Sequence, residues 1–408
     1  METLQPKLRF PEFSGYWFTK KIGDITNVSA GGTPSTVISE YWNGNIRWMN
    51  SGDLNLKRVY DVQNRITELG LKKSSTKIIP KSSVLIGLAG QGKTRGTVAM
   101  NMVDLCINQS IGAIFPNDKL FVSDFLYHNL DNRYDELRGL STGDGGRGGL
   151  NLQIIKSLNI NFPSLEEQTK IANFLSSIDE KINLLKEKKE LLEEYKKGIM
   201  QKIFNQEIRF KDDNGNDFED WEIKTLGDVA KFRRGSFPQP YGLSKWYDEV
   251  NGMPFIQVYD VASNMLLKPY TKNKISKLGA EQSVFVKKGT LVITIQGSIG
   301  RIAKTQYDAY IDRTLLIFQS YKCNIDVDYF KYVVFLLFEI EKTKAPGGII
   351  KTITKEVLTD FEVPIPCIQE QTKIANFISA IDEKIDLVAT QIQDTQEYKK
   401  GLLQQMFV

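Results

Sequence analysis

Apolar residues return every seven positions along one stretch of the chain, at Ile171, Ile178, Leu185, Leu192 and Ile199, flanked by Phe174, Leu175, Ile182, Tyr195 and Ile203 and separated by charged residues. A sustained seven-residue period predicts a coiled-coil helix whose apolar stripe needs a partner. The stretch then comes back. EQTKIANFLSSIDEKINLLKEKKELLEEYKKGIMQKIF (167–204) returns without a gap as EQTKIANFISAIDEKIDLVATQIQDTQEYKKGLLQQMF (370–407), 203 residues later, with 22 of 38 aligned positions identical. In the second copy the stripe is Ile374, Ile381, Val388 and Leu402, broken by Thr395. At about 1.5 Å per residue, each helix would be roughly 57 Å long. The economical cover for each stripe is the other copy, packed antiparallel. The competing arrangement packs each helix on its own globular part, and a segment as charged as EKKELLEEYKK argues against complete coverage of that kind.

The regions between the helices carry shorter patterns. Val84-Leu85-Ile86, Leu105-Cys106-Ile107 and 111–115 read as strands, whereas the residues after Ser123 and after Val327 read as helices, including 333–339. Fainter echoes of the duplication join these regions. Leu8-Arg9-Phe10 with Trp17 answers Ile208-Arg209-Phe210 with Trp221, and each head ends in a glycine-rich turn followed by a Phe-Pro or Ile-Pro step into the repeat. The expected fold is a multidomain α/β (α+β) chain. Two globular mixed-sheet heads, 1–160 and 221–366, alternate with a central helix at 161–205, a linker at 206–220 and a distal helix at 367–408. The two helices form a long antiparallel coiled coil with pseudo-twofold symmetry.

Composition narrows the chemistry. With 408 residues, 41% hydrophobic and 25% charged, the chain reads as an ordinary globular protein of two or three domains. No membrane-length apolar run and no signal-peptide pattern occurs, so the expected location is the cytoplasm. Cys106, Cys323 and Cys367 are scattered, which predicts neither disulfides nor a zinc site, and His128 is the single histidine, expected in a partly buried helical position beside Tyr127. No metal or cofactor is expected. The net charge of +4 is uneven, since residues 7–160 carry +6, residues 221–366 carry +5 and the remainder −7. Two basic heads on an acidic stalk suit double-stranded DNA.

One motif points elsewhere. GLAGQGKT, 87–94, fits the phosphate-binding P-loop pattern, which requires a helix opening directly behind it. Thr94-Arg95-Gly96-Thr97-Val98 is a poor first turn, and the corresponding LVITIQG at 291–297 lacks Gly-Lys-Thr. A strand, a glycine turn and a return strand account for both copies. The turn residues are then the candidate DNA readers: Gln91, Lys93, Thr94, Arg95 and Arg147 in the first head, and Gln296, Ser298, Arg301 and Lys351 in the second. Asn50 and Ser51, with Gln257 and Tyr259, form a second pair behind two other strands. Arginine and glutamine suit guanine and adenine edges, and lysine suits phosphates. For each of these residues a solvated loop side chain is an equal alternative, and Trp48 and Trp246 are expected in the core. Two other readings compete with a DNA reader, namely a P-loop nucleotide hydrolase with a dimerising coiled coil and an adaptor whose heads bind proteins.

The twofold EQTKIANF…IDEKI…EYKKG repeat, the Pro-x-x-x-x-Glu-Gln segments before it (163–168 and 366–371) and the strand-turn IRWMNSGDL resemble the specificity subunit of type I restriction-modification systems over essentially the full length. The resemblance implies two target-recognition domains, each reading one part of a split DNA sequence, and a helical spacer that sets the unread gap. It also implies partners: two copies of a DNA adenine methyltransferase (modification) subunit on the helices, joined by motor-endonuclease (restriction) subunits. Such a subunit has no catalysis of its own, and no amino-methyltransferase, S-adenosylmethionine or helicase motif occurs here. The Gly92–Thr94 insertion departs from the second head and lengthens the first head's turn.

Overall fold

Short β-branched and apolar runs, several of them buried along their whole length, become inner strands of two sheets in each half of the chain. Both sheets of the first half and one of the second mix parallel and antiparallel pairs, and the other sheet of the second half is antiparallel throughout. The computed structural model describes residues 5–90, 93–140, 149–344 and 355–407, without the side chains of 342–344 and 355–356. It divides into two units, Met1–Lys186 with Thr390–Val408, and Glu187–Ala389.

In the first unit, one sheet runs in the order Val28–Ala30, Ile111–Ile114, Val84–Gly87, Val98–Asn101, Arg58–Val59. The other runs Arg65–Ile66, Trp42–Met49, Leu105–Ile107, Ile78–Ile79. A two-stranded ribbon, Phe18–Lys21 with Asn159–Phe162, closes the head. The second unit repeats this order with Ala230–Arg234, Leu315–Tyr321, Leu291–Thr294, Ile302–Lys304 in one sheet and Asn273–Ile275, Met253–Ile256, Ala309–Ile311, Val284–Val286 in the other. Its ribbon is Glu222–Thr225 with Glu362–Ile365. Even the unusual parallel pairing recurs, as Trp48 opposite Cys106 and Phe255 opposite Tyr310. The faint echoes in sequence therefore stand for one topology used twice, with Arg58–Val59 an addition of the first head.

The repeated segments are helices of 40 residues, Leu165–Phe204, and 39 residues, Ile368–Met406. Each unit holds the opening of one and the close of the other. In the first unit Ile171, Ala172, Leu175, Ile178 and Ile182 share a core with Phe125 and Phe162 of the head and with Leu402, Leu403 and Met406. In the second, Ile374, Ala375 and Ile378 share a core with Tyr329, Phe330 and Val333 and with Met200 and Ile203. The stripes thus meet both head and helix, so the two arrangements weighed from sequence coexist. An Asp179–Lys399 ion pair of 2.6 Å in the first unit and a Lys196–Asp382 pair of 2.6 Å in the second join the helix segments at repeat-equivalent positions.

The Glu-Gln step shared by the two copies explains how a head is fixed to its helix. Gln168 accepts from Val122 N at 2.9 Å and donates to Pro163 O at 3.0 Å; Gln371 accepts from Asp326 N at 2.9 Å and donates to Pro366 O at 2.8 Å. Glu167 takes two hydrogen bonds of 2.8 Å from Arg9, and Glu370 takes one from Arg209 Nη2 at 2.9 Å and one from Trp221 Nε1 at 2.8 Å. All four side chains are buried, where leaving any of these polar groups unmatched is costly.

Candidate nucleic-acid interface

Four loops gather at one end of each head, and backbone hydrogen bonds hold them in a common frame. In the first head Gly32 N donates to Ile107 O (2.9 Å), Asn108 N to Met49 O (3.0 Å) and Leu88 N to Ser110 O (2.8 Å). In the second the matching bonds are Ser236 N to Ile311 O (3.0 Å), Asp312 N to Ile256 O (3.0 Å) and Ile295 N to Thr314 O (3.0 Å). The frame unites the exits of both sheets, so residues from distant parts of the sequence share one surface.

The strands on either side of the P-loop-like segment form a hairpin at this end. Val84, Leu85 and Ile86 pair antiparallel with Met100, Ala99 and Val98, and Gly87 exchanges backbone bonds of 2.9 Å with Thr97 and Gly96. The next helix in the chain begins only at Ser123, so no helix opens directly behind this segment as the P-loop pattern requires. The second head has the same hairpin, with Leu291–Thr294 against Ile302–Lys304 and Thr294 bonded to Arg301 and Gly300. The loop spans 88–96 in the first head and 295–300 in the second, three residues longer where Gly92–Thr94 is inserted.

Lys93 is exposed and its carbonyl accepts from Tyr134 Oη at 3.0 Å and from Thr97 Oγ1 at 2.7 Å, while Thr94 and Arg95 are half-buried. In the second head Gln296, Ser298 and Arg301 are exposed, and Arg301 Nη1 donates to Val261 O at 3.2 Å. The frame aligns Arg301 with the buried Thr97, not with Arg95. Gln91, Arg147 and Lys351 lie outside the described residues.

Asn50 and Gln257 also belong to this end, in a role the sequence reading did not assign. Each follows a strand and caps a 3₁₀ turn, with Asn50 N donating to Asp53 at 2.9 Å and Gln257 N to Asp260 at 2.8 Å. Asn50 Oδ1 accepts from Gly52 N at 2.7 Å, which leaves Ser51 half-buried on the turn. Gln257 is buried, and its Oε1 accepts from Asn273 Nδ2 at 2.8 Å and from Tyr259 Oη. Burial, and next the nearby Asp260 carboxylate, push the Tyr259 hydroxyl well above its ordinary range, so it serves as a donor. Burial also raises Asp260, against the hydrogen bonds it accepts from Lys272 N and Gln257 N. The turn touches the hairpin in both heads: a Cβ on Gly87 would come within 3.1 Å of Leu54, and one on Gly297 within 3.4 Å of Val258. The candidate loops therefore form a single surface in each head, with exposed side chains on the hairpin and satisfied caps behind it.

Two tips of this surface escaped the sequence reading. Asn108-Gln109-Ser110 and Asp312-Arg313-Thr314 are equivalent turns between the two sheets, with Gln109 and Arg313 exposed. The signal available was the Asx residue before each tip, since Asn108 Oδ1 accepts from Ser110 N at 3.0 Å and Asp312 Oδ1 from Thr314 N at 2.9 Å.

Of the helix positions, Ile171, Ile178, Ile374, Ile381, Val388 and Leu402 are buried, while Leu185, Leu192 and Ile199 are half-buried. Trp48 and Trp246 are buried, their indole N–H groups donating to Gly32 O at 3.0 Å and Pro240 O at 2.9 Å. His128 is fully rather than partly buried, edge-on to Tyr127. Among the described residues no helix is long and apolar enough to cross a membrane.

The model of the type I restriction modification DNA specificity domain matches the chain twice, over residues 15–194 and 218–396. The type I restriction enzyme MjaIX specificity subunit of Methanocaldococcus jannaschii is 32% identical over 269 residues, 62% of this chain and 60% of that protein. The chain thus aligns with about three-fifths of that relative's length. The MjaVIII specificity subunit of the same organism is 23% identical over 418 residues, 97% of this chain and 92% of the relative. The crystal structure of a type I restriction-modification system S subunit from M. genitalium has the same fold, with a TM-score of 0.62 at 18% identity over 99% of both chains. Each match begins in a head and runs into the repeated helix, and together they span most of the sequence: the chain belongs to the type I restriction modification DNA specificity domain family.

Proposed function

We propose that this chain is the non-catalytic, cytoplasmic DNA-recognition subunit of a type I restriction-modification complex, in which each head reads one half of a bipartite double-stranded target. The observation that carries this is the pair of loop surfaces: one backbone frame, held by equivalent hydrogen bonds, presents different side chains in the two heads. A shared scaffold with unlike tips suits two readers of different bases, with lysines available to hold phosphates. The segments proposed as reading domains are 1–160 and 221–366, with the helices at 161–205 and 367–408 setting the gap between half-sites.

The helices also suit two copies of one partner. Leu184 and Leu387 are repeat-equivalent and 58% and 59% exposed; Tyr195 and Tyr398 are likewise equivalent and 53% and 57% exposed. Identical apolar positions left open at both places are what two identical modification subunits, DNA adenine methyltransferases, would cover. Motor-endonuclease subunits would join through these.

The test is to express the chain with its modification partner and map methylated bases by single-molecule sequencing. A split motif should be found, and exchanging residues 221–366 for another head should alter one half only. Absence of any motif, or change in both halves, would overturn the reading.

A further inference from the structure

We infer that Gln109 and Arg313 are paired base-reading side chains, one per head, presented by the same turn to an adenine edge in one half-site and a guanine edge in the other. This rests on the DNA-reading function proposed above and assigns residues to it.

The turns are built alike. Each follows the second sheet's inner strand and feeds the first sheet's inner strand, and each is set by an Asx side chain accepting from the residue two ahead. In the second head Thr314 Oγ1 adds a 2.6 Å bond to Asp312 Oδ1. The incoming strand passes so close beneath that only glycine fits: a Cβ on Gly31 would lie 1.9 Å from Ile107 O, and one on Gly235 2.3 Å from Asp312 O. Backbone and flanking residues are thus held equivalent while the tip residue is free to differ.

Each tip is also held in place by its own head. Gln109 Oε1 accepts from Thr33 Oγ1, which fixes the amide and leaves its second lone pair and its N–H₂ group available. The Arg313 guanidinium lies over the exposed Tyr241 ring, 5.1 Å from its centroid, and Tyr241 rests on the buried Phe237 with centroids 4.6 Å apart. Among the described residues that guanidinium has no hydrogen-bond or ion-pair partner. A planar donor fork held over an aromatic ring by a cation–π contact, with its N–H groups unspent, matches guanine O6 and N7; an oriented carboxamide matches adenine N6 and N7.

The experiment selects bound sequences from a randomised duplex pool, using the full chain assembled with its modification subunit, for wild type, Arg313→Gln and Arg313→Lys. Wild type should give a split motif. Arg313→Gln should change guanine to adenine at one position of one half-site, and Arg313→Lys should weaken discrimination there by roughly tenfold or more. The other half-site should be untouched in both. Retention of the guanine by both variants, or a uniform loss over all sequences that lysine rescues, overturns the inference in favour of a phosphate contact or none, with the proposed function intact. Failure of wild type to select any sequence overturns both. Because Arg313 is exposed, unchanged thermal melting of the variants is expected to accompany either result.

Discussion

His128 and Tyr332 occupy the same place in the two units and solve it differently. His128 Nε2 is 3.2 Å from Ser176 Oγ, and Tyr332 Oη is 3.1 Å from the equivalent Ser379 Oγ and donates to Asp382 at 2.7 Å. Burial, and then the positive charges of Lys399 and Arg58, hold the His128 pKa well below its ordinary value near 6.5, although Asp179 lies 3.9 Å from Nδ1. The native state therefore keeps this imidazole neutral, whereas the unfolded chain protonates it. The associated stability is complete above about pH 6.5 and is lost as pH falls below it, at about 1.4 kcal/mol per pH unit while only the unfolded state binds the proton. Urea unfolding at pH 7.5 and 5.5 should show a larger acid loss for wild type than for His128→Tyr, by about 1 kcal/mol; equal losses would move the effect to other groups. The buried Glu370 makes a simpler case. Glu370→Ala takes the carboxylate from Arg209, which keeps the Phe218 and Glu219 carbonyls, and leaves the Trp221 N–H without its acceptor, so unfolding should become easier by roughly 2 kcal/mol, measured by the same method.

Among elements, legibility followed periodicity. The helices announced themselves because seven-residue spacing persists over most of forty residues, and the hairpins because apolar triplets flank a glycine turn. The P-loop reading failed on context: the second copy of the hairpin carries no Gly-Lys-Thr, and the sheet pairs the residues where a helix was required. What stayed hidden was either too short or too distant to form a pattern. A three-residue turn such as Asn108-Gln109-Ser110 has no period, and Arg9 meets Glu167 across 158 positions of sequence. Asn50 and Gln257 were legible in part, since an aspartate three residues on is a capping signature, but their spacing also suited readers. The open Leu184 and Leu387 positions carry their own prediction. On the partner arrangement proposed above, Leu184→Lys or Leu387→Lys should each reduce the bound modification subunit from two copies to one in light-scattering mass measurements, and the double variant should bind none. Both side chains are exposed, so the free chain should melt as before.

At the scale of the whole molecule, the two units differ in how the sequence supplies them. The second is one continuous stretch, Glu187–Ala389, whereas the first joins Met1–Lys186 to Thr390–Val408. Leu8 N donates to Gln405 O at 2.9 Å, Phe407 packs at a tilt against Phe125 with centroids 5.3 Å apart, and Leu402, Leu403 and Met406 complete the core around Ile171 and Leu175. Synthesis on the ribosome therefore inverts the order of maturation. The head made first has to wait for some two hundred further residues, roughly 10–40 s of translation, before its last wall arrives. In the interval its helix face is open to chaperones or to association with other nascent chains. A chain stopped at Ala389 should keep amide protection in 221–366 and lose it along 165–182, read by hydrogen exchange. Protection retained there would mean that the first head is finished before the chain is.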